Sequence, residues 1–156
     1  MRYLGLDVGS KTIGLAVSDE GGLIAQARQV LQRQGHEKDA ASLARLVQTE
    51  QIHGIVVGMP YELDGRVGHR ARLVQQFIAV LARTLANSAF DPPLAVELWD
   101  ERFSTAAAER TLLEANLSRA QRKQRIDAVA AQFILQGWLD AQTRLRSQDL
   151  GESPNE

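Results

Sequence analysis

The sequence predicts an α/β fold: a five-stranded mixed sheet of order 3-2-1-4-5, with strand 2 antiparallel, flanked by helices. Three observations carry this. The chain opens with three apolar strand patterns separated by tight turns, as an antiparallel meander requires. Helix and strand patterns then alternate, which is how parallel strands are joined. Right-handed crossovers set the fourth and fifth strands beside the first, and so fix the order.

The first strand runs from Arg2 to Val8. Alternation puts Leu4, Leu6 and Val8 on one face and Tyr3, Gly5 and Asp7 on the other, and both faces read as buried. "GSK" turns the chain into a second apolar strand, Thr12 to Ser18, and "DEGG" into a third, Leu23 to Leu31. A helix follows over roughly Lys38 to Gln51, with Leu43, Leu46 and Val47 in its core-facing stripe. "GIVVGMP" is an unbroken apolar run after a helix, the pattern of a parallel strand covered on both sides. The polar loop "MPYELDGRVGHR" leads to a helix in which Val74, Phe77, Ile78, Leu81 and Leu85 recur at helical spacing. Asp91 to Pro93 form a turn and "LAVELW" a fifth strand. "DERFST" leaves that strand, and two helices finish the fold, the last from about Arg122 to Thr143.

With 156 residues, 44% hydrophobic and 24% charged, the chain fits one domain able to bury its own core. We expect that domain to occupy residues 1–143, followed by a flexible tail over 144–156, where "RLRSQDLGESPNE" offers little to bury. Cysteine is absent, which excludes a disulfide framework and any thiolate metal site. The N-terminus begins on a strand and no stretch is long and apolar enough to span a bilayer, so a cytoplasmic protein without membrane association is expected. The net charge of −1 offers no general attraction for phosphate backbones, so local cationic clusters decide that question.

Three carboxylates stand where apolar residues would be easier to bury. Asp7 interrupts an apolar strand at the centre of the predicted sheet, near the carboxyl ends of its parallel neighbours, where open α/β sheets bind ligands. Asp127 lies in the apolar arc of the last helix: taking it as zero, Ile134 falls at about −20°, Trp138 at about +20° and Ala131 at about +40°. Arg125, Gln132, Gln136 and Asp140 mark the opposite side, read as solvent-facing. The third is one of the pair Asp100 and Glu101. Alternation groups Glu101 with Ala95, Glu97 and Trp99 and Asp100 with Leu98, which favours Glu101 as the partner of Asp7. Each acid has an ordinary alternative: Asp7 as a turn cap, Asp127 paired with Lys123 or Arg125, and the acidic pair in solvent. Together, converging at one sheet edge, their repulsion calls for a cation, and hard ions such as Mg²⁺ or Mn²⁺ take such oxygen ligands.

Four segments in order, "DVGSKTIGLAVSDE", "VVGMPYELDG", "DERFST" and "RKQRIDAVAAQFILQGWLD", resemble the YqgF family, described as pre-16S rRNA nucleases or Holliday-junction resolvases related to RuvC. The resemblance runs from about Tyr3 to Asp140 and implies a ribonuclease H-like fold. It also implies that the acids of the first strand, the segment after the fifth strand and the final helix hold catalytic Mg²⁺ or Mn²⁺. On this sequence those are Asp7, Glu101 and Asp127.

Metal-activated water attacking a phosphodiester would then be the chemistry. No other nucleophile is evident, and His36, His53 and His69 lack metal-ligand spacing. His69, in the long polar loop, is the histidine placed to touch substrate. Substrate contacts are expected from Lys11 in the turn after Asp7, Arg66 and Arg70 in "RVGHRAR", Arg102 in "DERFST", and Arg119, Arg122, Lys123 and Arg125 in "SRAQRKQR". Lys11 has the alternative of balancing the charge of the acids.

The resemblance implies processing of the 5′ end of pre-16S rRNA, with ribosomal precursor particles as partners. Resolution of four-way DNA junctions is the alternative, and would take two active sites and hence a homodimer. Two other classes remain open. One is an rRNA-binding assembly factor whose acids do not catalyse. The other is an actin-like or sugar-kinase-like phosphate-binding lobe, for which the chain is too short to supply both lobes.

Overall fold

The computed structural model describes residues 1–90, 93–103 and 119–151, with the side chains of 103, 119–127, 150 and 151 outside that description. The predicted turn at Asp91–Pro93 falls largely outside it, as does the first of the two predicted C-terminal helices. The strands are β1 (Arg2–Val8), β2 (Thr12–Ser18), β3 (Ala25–Gln32), β4 (Ile52–Met59) and β5 (Ala95–Asp100). The helices are α1 (His36–Thr49), α2 (His69–Ala86) and α3 (Arg119–Gly151), and a short 3₁₀ turn, Glu101–Phe103, follows β5.

The sheet order is β3-β2-β1-β4-β5, as the pattern predicted. β2 is antiparallel to both β1 and β3, and β4 is parallel to both β1 and β5. Leu4 and Leu6 of β1 join Ile13, Leu15 and Val17 of β2 and Ile55, Val57 and Met59 of β4 in one core, closed by Leu43 and Val47 of α1 and Val74, Phe77 and Leu81 of α2. A fully buried aliphatic or aromatic side chain contributes about 1.5–3 kcal/mol, so this side dominates stability. The other side is covered by α3, whose Ala131, Ile134, Leu135 and Leu139 pack on Ala16, Ala25 and Val56. β2 is buried at every position, and β1 at its centre, because helices cover both sides of the sheet.

Close approach of α3 depends on Gly5: a Cβ there would lie 2.7 Å from Leu135 Cβ and 3.0 Å from the Ala131 carbonyl. No side chain larger than hydrogen fits without lifting the helix. The helix wheel placed Ala131, Ile134 and Trp138 around position 127, and all three face the sheet, Trp138 against Tyr3 with ring centroids 4.8 Å apart. On the wheel's far side Asp140 is exposed as read, but the two glutamines are not simply solvated. Gln132 donates to the Ala25 carbonyl at 3.1 Å, while Gln136 accepts from the Ala25 amide at 2.8 Å and donates to the Leu23 carbonyl at 2.9 Å. These amides satisfy backbone groups at the start of β3, so the two glutamines fasten the helix rather than face water.

α3 also runs past Thr143, the end expected from its apolar stripe, to Gly151. Arg144 to Asp149 are exposed, and no proline or glycine lies between Thr143 and Gly151. Hydroxyls help to hold this part: Thr143 donates to the Leu139 carbonyl and Ser147 to the Thr143 carbonyl, each at 3.0 Å. Among the described residues, no helix is long and apolar enough to cross a membrane.

Candidate active site

β1, β4 and β5 are parallel, so their carboxyl ends open on one edge. Asp7 and Glu101 both stand there. In β1, Asp7 follows Tyr3 and Gly5 on the side facing α3 and is half-buried. Leu6 pairs with Val57, so the next rung sets Asp7 beside Gly58 of β4, one strand spacing or about 4.8 Å away. Gly58 in turn pairs with Trp99 of β5. Glu101 folds back over this row: its Oε1 lies 2.7 Å from where a Gly58 Cβ would be. Because Gly58 carries no side chain, Ile134 of α3 and the Glu101 carboxylate both reach the sheet surface over it, with Asp7 on the neighbouring strand.

The neighbouring acid goes elsewhere. Asp100 accepts from Arg102, with Oδ2 2.6 Å from Nη2, and receives the Arg102 backbone amide at 2.9 Å. The side-chain hydrogen bonds from Arg102 hold the Asp100 carboxyl below the usual carboxylate range, against the opposing effect of its partial burial. Arg102 also donates to the Leu63 carbonyl at 3.4 Å and lies 5.8 Å from the centre of the Tyr61 ring. The pair therefore ties the loop between β4 and α2 to the end of β5. Because the folded-state pKa of Asp100 is depressed, its stabilisation is present above the unfolded value of about 4 and is lost as pH falls through the folded one. Thermal melts of wild type and Asp100→Asn should therefore differ at pH 7 and converge in acid. A constant gap across that range would show that the pair contributes nothing through charge.

The third acid comes from α3. Tyr3 packs on Trp138 and Gly5 on Ala131 and Leu135, so α3 descends as β1 ascends. Two residues along β1 from Gly5, about 6.6 Å, is Asp7; one turn back along α3 from Ala131, about 5.4 Å, is position 127. The helix backbone thus passes over the Asp7 end of β1, while the side chain of Asp127 lies outside the described residues. So do those of Arg119, Arg122, Lys123 and Arg125 at the start of α3. Among the described residues no group of three His, Cys, Asp or Glu could hold a metal; Asp7 and Glu101 are the two acids described on either side of Gly58. As a donor set, carboxylate oxygens at this edge suit a hard divalent ion.

The remaining candidates divide. Arg66 is exposed and pairs with Asp64 in its own loop at 3.2 Å. Lys11 and Arg70 lie on the other side of the sheet from α3, around a cleft between the β1–β2 turn and α2. Sequence reading missed Arg33 and Asp39, which fix this turn. Buried Asp39 accepts from Arg33 Nε at 2.8 Å, and Arg33 Nη1 donates to the Gly9 carbonyl at 2.8 Å. The two lie at either end of "RQGHEKD", which has the composition of a polar linker and no periodicity to flag them.

A family model described as "RuvX: Holliday junction resolvase" matches residues 1–141. The chain is 50% identical over 141 residues to a protein of Myxococcus xanthus named "Putative pre-16S rRNA nuclease", covering 90% of this chain and 89% of that one. A protein of the same name from Symbiobacterium thermophilum is 51% identical over 141 residues, covering 90% and 93%. Among solved structures, the yeast mitochondrial Holliday junction resolvase Ydc2 superposes with a TM-score of 0.58 at 13% identity, covering 93% of this chain and 80% of that one. RuvC of T. thermophilus in complex with Holliday junction substrate gives 0.54 at 14%, covering 92% and 96%. At such identities these two likenesses establish the resolvase-type fold.

Proposed function

Because the chain belongs to the RuvX family, also called YqgF, we propose that it is a divalent-metal-dependent nuclease that hydrolyses phosphodiester bonds in structured nucleic acid. Its named relatives suggest pre-16S rRNA as the substrate, and we infer that the task is processing of its 5′ end. The observation that supports the reading is the Glu101 carboxylate over Gly58, on the strand next to the one that carries Asp7, although the two acids are more than ninety residues apart in sequence. Mg²⁺ or Mn²⁺, when bound, would lower the pKa of a water molecule and offset charge on the phosphodiester. Asp7 and Glu101 would hold that ion from the sheet, and Asp127 from α3. The register of β1 on β4 fixes Asp7 before substrate arrives, while Glu101 is carried on the short turn that follows β5. Lys11, Arg70 and the basic start of α3 would supply positive charge for a phosphate backbone, and Arg66 and Arg102, paired with Asp64 and Asp100, would supply less.

The test is a side-by-side digestion of a pre-16S rRNA leader and a four-way DNA junction. Cleavage of the leader is expected with Mg²⁺ or Mn²⁺ and should disappear in excess EDTA. Undiminished cleavage in EDTA would remove the metal from the reaction. Preference for the junction would instead favour a resolvase acting as a dimer, and binding of the leader without cleavage under either metal would favour an assembly factor.

A further inference from the structure

A cleft of about 820 Å³ opens at the same edge of the sheet as Asp7, but on the side of α1 and α2. Its size lies within the range of ligand sites. Val8, Pro60, Leu73 and Val74 give it an apolar lining. Lys11 enters from the β1–β2 turn, His36 from the start of α1, and His69 and Arg70 from the start of α2. Among the described residues lining it there is no Asp or Glu, although the chain as a whole carries a net charge of −1. Arg33 also lines the cleft, with its charge balanced by Asp39.

The start of α2 reinforces this charge. Its N-cap is Gly68, which supplies no side-chain hydrogen bond, and its first turn contains no acidic residue. Arg70 and Arg72 add positive charge at the positive end of the helix dipole, which the Glu62 carboxylate, packed against the Gly68 N-cap, offsets only in part. α1 shows the usual pattern, with Glu37 and Asp39 in its first turn.

We propose that this cleft grips a backbone phosphate of the bound nucleic acid, with Lys11 and Arg70 on the phosphate and Pro60 and Leu73 against the attached sugar or base. The inference rests on the nucleic-acid part of the proposed function and is independent of hydrolysis. A strand fits better than a free nucleotide because the Gly9–Lys11 turn is shared: Asp7 precedes it on the α3 side, and the cleft begins on its other flank. A strand rounding the sheet edge from Asp7 would meet Lys11 next.

The test measures binding of a labelled single-stranded oligoribonucleotide to the full chain in EDTA, with AMP as a second ligand. Arg70→Glu and Lys11→Glu are each expected to weaken oligonucleotide binding by about tenfold or more and to flatten its salt dependence by about 0.7 per lost phosphate contact. Both residues are exposed, so each variant should melt within about 2 °C of the wild type. Weaker binding in a protein of unchanged stability is not what a structural role would give. Unchanged oligonucleotide binding in both variants would overturn the proposal. So would AMP binding that depends on Arg70 while oligonucleotide binding does not, which would assign the cleft to a free nucleotide. Arg70-dependent strand binding in a protein that never cleaves would refute the nuclease reading and leave this one standing.

Discussion

Replacing Asp7 with asparagine is expected to lower metal-dependent cleavage by about 10²–10³-fold, because losing a charged metal ligand forfeits several kcal/mol of transition-state stabilisation at about 1.36 kcal/mol per decade. Asparagine keeps the size of the side chain, and the ladder that pairs Asp7 with Gly14 uses only backbone atoms. The variant should therefore remain folded by circular dichroism. Initial rates with Mg²⁺ and with Mn²⁺, on whichever substrate the wild type cuts, decide the matter: equal rates for the two proteins would remove Asp7 from the mechanism. Glu101→Gln should fall alongside it, whereas Asp100→Asn should lose far less, because Asp100 is committed to Arg102. A larger loss at Asp100 than at Glu101 would reverse the assignment of the acidic pair.

The sheet was legible in the sequence because its order follows from local signals and a chirality rule. Period-two alternation marked β1 and β2, tight turns made them antiparallel, and right-handed crossovers left one position each for β4 and β5. The same alternation separated Glu101 from Asp100 and grouped Asp7 with Gly5. What stayed hidden depends on which side chain lies opposite which across the fold. A helical wheel reports the direction of a residue but not its neighbour, so Gln132 and Gln136 read as solvated although they satisfy the backbone around Ala25. Arg33 and Asp39 sit in a polar linker with no period, and their pairing emerges only when the start of α1 meets the end of β3. Lys11, His69 and Arg70 were each legible as candidate substrate contacts, but that they line one cleft with His36 emerges only when the β1–β2 turn meets the starts of α1 and α2.

Gly58 gave no signal of its own in the sequence, yet the Glu101 carboxylate lies over it with Asp7 on the neighbouring strand, and Gly58→Ala is the second change expected to have a large effect. The new methyl would lie 2.5 Å from Ile134 Cδ1 and 2.7 Å from Glu101 Oε1, so one of them must yield. Ile134 is fully buried and wedged with Ala131, Leu135 and Val56 beneath α3, whereas Glu101 is half-buried in a short 3₁₀ turn at the sheet edge. The carboxylate should therefore move. Overpacking of this kind costs about 1–3 kcal/mol, or roughly 2–4 °C of melting temperature per kcal/mol for a chain of this size. Displacing a metal ligand by 1 Å costs on the order of 10²-fold in rate. The expected result is a folded protein, modestly less stable, whose cleavage falls by about 10²-fold. Full activity with the same loss of stability would show that Ile134 gives way instead and that the position of Glu101 over Gly58 is not required for cleavage. Comparison with Glu101→Gln makes the argument sharper: if Gly58→Ala acts by moving this carboxylate, adding it to Glu101→Gln should cost little further activity, since residues acting as one unit are not additive.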